Sequence, residues 1–284
     1  MRAPGLAASS LLDWARAADA ATFASLVVMD RVASRALEPL ALLAAAAAVT
    51  TRIQLMTSII LVPTRETTLL ARQAASLDAL SGGRLSLGVG IGVRTSDYEA
   101  TGFDFRQRGR REEEQLEILR RLWNGEPFGG GIGPIGPEPV RAGGPELLVG
   151  GYVPAIAGRI ARWGDGFMAP GGGEPAEMER LWALILREWA KAGRAGRPRW
   201  VGATYYALGP NAGEAAAAYI HTNYAFDPVL AERRLATLPK GRDEVRAAIR
   251  QQAEMGVDEM ILRPVTPDRT MLEELAEIGA GLPD

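Results

Sequence analysis

Two periodicities of apolar residues alternate along the chain. Leu69, Leu70, Ala74, Leu77 and Leu80 recur at helical spacing, whereas Leu85, Leu87 and Val89 alternate with Ser86 and Gly88 as strand residues do. Ser81-Gly82-Gly83 lies between the two patterns and supplies a helix stop. The same reading predicts helices over 9–21, 38–49, 66–80, 107–123, 154–163, 175–192, 212–226, 228–238, 242–255 and 270–278. It predicts strands over 25–30, 53–61, 85–90, 147–149, 166–169, 201–208 and 259–263.

Each of these seven strands is followed by a helix, which argues an α/β fold with a parallel sheet, either closed into a barrel or left open and doubly wound. A (β/α)8 TIM barrel takes about 250 residues, close to the 284 of this chain, which is read as a single domain over 1–284. The count is one strand short of eight. Only 2–6 precedes the first helix, and Pro4 and Gly5 make it poor strand material, so the first strand is expected to be short or missing. The stretch 125–144, rich in glycine and proline, reads as a mobile loop or connector on the stability face of a barrel.

Composition narrows the chemistry. The chain is 47% hydrophobic and 23% charged, with a net charge of -2 and no basic stripe, which speaks against a nucleic-acid or membrane partner. Cysteine is absent, which excludes disulfides, thiolate nucleophiles and cysteine-bound metals, and no carboxylate cluster suggests a metal site. The apolar run 40–49 is too short to span a bilayer, no signal peptide is apparent, and a cytoplasmic location is expected. His221, the one histidine, lies in a helical stretch and reads as a surface or packing residue. Lys191 and Lys240, the two lysines, lie in loop or helix contexts, which argues against a Schiff-base aldolase.

Gly88, Gly90 and Gly92 bare the backbone where a strand meets its loop. They do not form a dinucleotide fingerprint, because the third glycine of G-x-G-x-x-G is missing and Arg94-Thr95-Ser96-Asp97 stands where an apolar helix should begin. Relief of crowding inside a sheet is one explanation for them, and close approach of a ligand is the other.

The order of motifs resembles the bacterial luciferase-like oxidoreductases that depend on a flavin or a deazaflavin. The resemblance rests on LVVMD at 26–30, TSIILVPTRETTLLARQAASLDALSGGRLSLGVGIG at 57–92, DYEATGFDFRQRGRREEEQLEILRRLW at 97–123, PELLVGGYVPAIAGRIARWGDGF at 145–167 and GVDEMILRPV at 256–265. It implies a (β/α)8 barrel, FMN or F420 at the C-terminal mouth, and a homodimer or higher oligomer. It implies a non-prolyl cis peptide behind the cofactor ring among Thr57, Ser58 and Ile59, with Ser58-Ile59 the candidate; the residues alone would fit a plain buried strand.

By the same resemblance, Gly90, Gly92 and Arg94 lie at the ring, and Tyr98 either covers the cofactor or packs its loop. Gly150, Gly151 and Tyr152, between a strand and a helix opened by Pro154, suit a cofactor phosphate, which Gly166, Phe167 and Met168 would also border. Relatives often carry a hydroxyl residue after this glycine pair, where Tyr152 and Val153 stand. They often carry an Asp-His pair after the second strand, where Asp30-Arg31 stands. Asp30 and Arg31 are the catalytic candidates, Arg31 as a neutraliser of an anionic ring or substrate. The expected activity is that of an oxidoreductase or monooxygenase acting on a small organic substrate, with a separate NAD(P)H flavin reductase as partner if the cofactor is FMN. A non-catalytic, degenerate flavin-binding scaffold is the alternative.

Overall fold

The computed structural model describes residues 8–172, 174–266 and 269–281, and the weak strand expected over 2–6 lies outside them. Helix α1 (Ala8–Ala20) leads into β1 (Ser25–Val28), after which strands and helices alternate. They run α2 (Pro39–Ala47), β2 (Gln54–Leu61), α3 (Thr67–Ser81), β3 (Leu85–Gly90), a short α4 (Thr95–Glu99), α5 (Arg108–Trp123), β4 (Glu146–Gly150), α6 (Ala155–Trp163) and β5 (Gly166–Met168). Then come α7 (Pro175–Lys191), β6 (Arg199–Tyr206), α8 (Ala212–Asn223), α9 (Pro228–Thr237), α10 (Arg242–Glu254), β7 (Glu259–Pro264) and α11 (Arg269–Ala280).

Local chemistry sets these limits. Helix α3 opens where the Glu66 carboxylate accepts from the Leu69 N–H at 2.8 Å, and it closes at Gly82, whose φ of 68° an L side chain resists. Helix α2 opens the same way, with Glu38 capping Ala41 at 2.7 Å and Pro39 in the first turn. Short α4, inside the loop after β3, has no counterpart in the sequence pattern, since five residues are too few to show a period.

The strands pair in chain order, β1 to β7, and every neighbouring pair is parallel. Sequential order without a reversal rules out the doubly wound alternative, whose switch point needs one. The sheet curls into a nearly closed α/β barrel. Strands β1 and β7 share no ladder, yet Ser25 of β1 donates to Glu259 of β7.

Met56, Leu148, Met168, Val201, Ala203 and Ile261 fill the barrel interior as one buried cluster. A larger apolar layer, including Leu43, Leu70, Leu87, Leu116, Val149 and Ile160, seals the sheet against its outer helices. The connector 125–144 runs from α5 to β4, at the end of the barrel where strands begin. It is tied down by the Val140 N–H on Asp78 at 3.0 Å and by Arg141 on the Leu85 carbonyl at 2.9 Å.

Candidate active site

Parallel pairing places the C-terminal ends of all seven strands on one rim, and each strand or the residues just after it lines a shared cavity of about 330 Å³, within the range of about 300–1,000 Å³ typical of small-molecule sites. Its floor is built by β2. The peptide between Ser58 and Ile59 is cis, and the β2–β3 register shifts between Thr57 and Ile60. That shift turns Ser58 and Ile59 into the cavity, while the Thr57 hydroxyl stays buried on the Gly88 carbonyl at 2.8 Å.

The glycines have distinct reasons to be glycine. A Cβ on Gly88 would strike the Thr57 carbonyl, and one on Gly90 would strike the Ile59 side chain and lie 3.3 Å from the Gly150 carbonyl. A Cβ on Gly150 would meet Ile59 Cγ2 at 3.0 Å. Close packing among β2, β3 and β4 therefore explains Gly88 and Gly90, as the crowding reading expects. Gly92, Gly150 and Gly151 border the cavity itself. The Ser58–Ile59 bulge, Gly92 and the Gly150-Gly151 pair thus border one space.

The charged residues divide by partner. Asp30 lines the cavity, but one of its oxygens accepts from the Leu61 N–H at 3.0 Å and from Arg65 Nη2 at 2.9 Å, so Asp30 anchors the start of the β1–α2 loop. Arg31 is clamped through Nε to Asp97 of α4 at 2.8 Å. Arg94 donates to the Asn223 carbonyl and stacks on Phe226 at 4.5 Å, which joins the β3 loop to the end of α8.

Some expected contacts fall elsewhere. Tyr98 does not line the cavity: its ring is buried edge-on against Phe105 at 5.2 Å and its hydroxyl donates to the Ile91 carbonyl at 2.5 Å, so it packs the loop. Burial pushes its phenol above the ordinary value. Gly166 and Phe167 do not border the rim either. Gly166 opens β5, paired with Leu148 and Arg199, and the Phe167 ring packs outward toward Trp200 at 6.4 Å. In so short a strand only Met168 reaches the cavity. His221 lies on the α8 surface, 3.0 Å from exposed Glu232.

Residues 2–279 match the family model described as luciferase-like monooxygenase. The chain belongs to that family. An uncharacterized protein of Mycobacterium bovis is 40% identical over 164 residues, 56% of this chain and 56% of that protein. An F420-dependent glucose-6-phosphate dehydrogenase of Nocardia farcinica is 33% identical over 169 residues, 55% of this chain and 50% of that protein. The match thus spans about half the length of these curated relatives. Among solved structures, a monooxygenase from Streptomyces bottropensis aligns over 95% of this chain and 90% of that one, with a TM-score of 0.75 and 25% identity. An F420-dependent secondary alcohol dehydrogenase, in complex with an F420-acetone adduct, aligns over 98% and 96% with a TM-score of 0.77; at 19% identity this shows the shared barrel.

In this luciferase-like barrel the connection from β6 to β7 carries three helices, and the first two bring residues to the rim. Asn223 and Tyr224 at the end of α8 and Arg234 of α9 line the cavity, facing Tyr205 of β6 and Arg263 of β7. Tyr205 and Tyr224 share a hydrogen bond of 2.9 Å between hydroxyls, and burial, with Tyr205 beside it, pushes the Tyr224 phenol above its ordinary value. Sequence patterning passes over Tyr224 and Arg234, since helical period says nothing about which end of a barrel a helix covers. Arg263 did leave a signal: a charge closing an apolar strand, where barrel sites collect.

Proposed function

We propose that this protein is an oxidoreductase that binds F420 or FMN in the barrel mouth and acts there on a small organic substrate. One observation carries the reading: the Ser58–Ile59 bulge, Gly92 and the Gly150-Gly151 pair, contributed by three strands and their loops, open onto one cavity. A flat heterocycle can approach the glycine main chain closely there, with Ser58 and Ile59 beneath it.

The donor set fits an anionic tail as well. Gly150 and Gly151 precede α6 and line the cavity, and Arg159 on that helix lines it too while paired with Glu112 and Glu113. The cofactor, once bound, supplies the redox chemistry: hydride transfer for F420, hydride transfer or oxygen activation for FMN. The chain's own residues hold and orient it. Ser58–Ile59 backs the ring, the Gly150-Gly151 main chain takes the phosphate, and the Tyr224 hydroxyl, bonded to Tyr205, keeps its proton at the cavity wall.

F420 is the first cofactor to test, because the Nocardia farcinica relative and the aligned alcohol dehydrogenase are both named for it. An FMN enzyme would take reduced cofactor from a separate NAD(P)H reductase. A non-catalytic cofactor-binding scaffold is the second reading, favoured by the engagement of both Asp30 and Arg31 in ion pairs.

The test is a titration of the purified chain with F420 and with FMN, followed by absorbance and fluorescence. Saturable micromolar binding of one, with turnover of the bound cofactor against a substrate panel, supports the oxidoreductase. Binding with no turnover supports the scaffold, and binding of neither removes both.

A further inference from the structure

Six arginines line the cavity, against two carboxylates, Asp30 and Asp97. Arg31 is paired with Asp97, and Arg159 with Glu112 and Glu113, each at 3.0 Å or less. Arg94 and Arg108 have no carboxylate partner among the described residues either, and each is tied into loop contacts, with Arg108 Nε left buried and unpartnered. Arg94 holds Asn223 and Phe226, and Arg108 donates to the Phe105 carbonyl at 2.7 Å while stacked on that ring at 3.8 Å.

Arg234 and Arg263 remain, likewise without a carboxylate among the described residues, and they flank the same glycine. Arg234 Nη1 donates to the Gly171 carbonyl, while a Cβ on Gly171 would come within 3.4 Å of Arg263 Nη1. Both guanidinium groups also stand over the Tyr205 ring, at 6.0 and 5.6 Å. Arg234 is only 5% exposed, and the Nε of each arginine is buried with no hydrogen-bond partner. Two converging cations of this kind are expensive unless an anion enters between or beside them. Planar guanidinium forks are suited to a carboxylate or a phosphate.

We propose that Arg234 and Arg263 form the substrate's anion-binding pair, so that the substrate is a small organic molecule carrying a carboxylate or phosphate group. The proposal rests on the cofactor reading above for the word substrate. Arg263 also donates to the Ser58 hydroxyl at 2.7 Å, beside the peptide assigned to back the cofactor ring, and Arg234 donates to the Tyr152 hydroxyl at 2.5 Å. The anion is thus tethered on the ring side of the cavity, which presents the rest of the molecule to the redox centre.

The test uses the protein loaded with whichever cofactor it binds. Inorganic phosphate and malonate are titrated at constant ionic strength, with chloride as the balancing salt, and cofactor fluorescence is read. Saturable binding of at least one anion is expected, weakened at least tenfold in Arg263→Gln and less in Arg263→Lys, with cofactor affinity held within threefold. Arg234→Lys should weaken the same anion without unfolding the protein. Absence of saturable anion binding in the parent chain overturns the proposal. So does a loss of cofactor and anion affinity in parallel, which would assign both arginines to the cofactor's phosphate. If neither F420 nor FMN binds, the cofactor reading fails by itself. The same anions are then titrated against the free protein by thermal shift, where insensitivity to Arg263→Gln removes the anion pair too.

Discussion

At the scale of single residues, partners decide what a charged group does. Asp30 has the position of a catalytic acid at a strand end, but its carboxylate is buried and committed to the Leu61 amide and the Arg65 guanidinium. Removing one partner of a buried pair leaves the other exposed to its full desolvation cost, so Asp30→Ala should lose about 2–4 kcal/mol of stability by urea denaturation. Cofactor affinity should stay within threefold; unchanged stability with lost turnover would return Asp30 to the chemistry. Glu112 makes a second case. Burial pushes its carboxyl up to about 7 from 4.5, against the pull of Arg159, while Glu113 adds to the rise. A folded-state value above the unfolded one means that the folded chain binds the extra proton between those values. Its stabilising contribution is therefore full below pH 4.5 and lost as the pH rises through 7. Denaturation at pH 5 and pH 8 should show Glu112→Gln losing less stability across that interval than the parent, by about 2 kcal/mol.

At the scale of elements, β2, β3 and β4 were legible and the β6–β7 connection was not. The glycines at 88, 90, 150 and 151 and the run after Thr57 are local signals, because a missing side chain reports how tightly neighbouring atoms crowd the strand. The rim position of Tyr224 and Arg234 depends on α8 and α9 folding over the mouth, a tertiary event that leaves no local trace. The misplacement of Gly166 and Phe167 has a similar origin: a three-residue strand offers too few positions to say which end meets the rim. Gly90 allows the packing of these strands to be tested against binding. An alanine Cβ there would press on Ile59 Cδ1, the movable end of a side chain that lines the cavity. Gly90→Ala should therefore cost little stability, about 1–2 kcal/mol, while displacing Ile59 into the space assigned to the cofactor and weakening its binding roughly tenfold, or about 1.4 kcal/mol. A variant that loses stability but keeps affinity would show that Ile59 relaxes away from the cavity.

At the scale of the whole molecule, alternation of strand and helix made the barrel readable, whereas the way its ends are joined was not. Strands β1 and β7 have no shared ladder, and an apolar cavity of about 190 Å³, bordered by Trp14, Phe23, Leu26, Leu262 and Leu272, lies along that seam. What spans the seam is a polar network at the end of the barrel opposite the candidate active site. Ser25 of β1 and Arg199 of β6 both bond Glu259 of β7, and Arg199 reaches Glu146 of β4 at 2.6 Å, which in turn accepts from Ser86 of β3 at 2.5 Å. One guanidinium thus ties two carboxylates from separate strands. Burial opposes its charge, yet Glu146 and Glu259 together raise the Arg199 pKa above its ordinary value. Arg199→Met would leave two mostly buried carboxylates facing a neutral side chain, and the expected loss is about 3–5 kcal/mol, read as a fall in denaturation midpoint. Adding Glu146→Gln and Glu259→Gln to that variant removes the stranded charges and should recover most of the loss, because a neutral set carries no ionic desolvation cost. Cofactor and anion affinity at the far rim should change little in the triple variant. A triple variant no more stable than Arg199→Met would mean that the network holds the seam through geometry that neutral side chains cannot reproduce, rather than through charge balance.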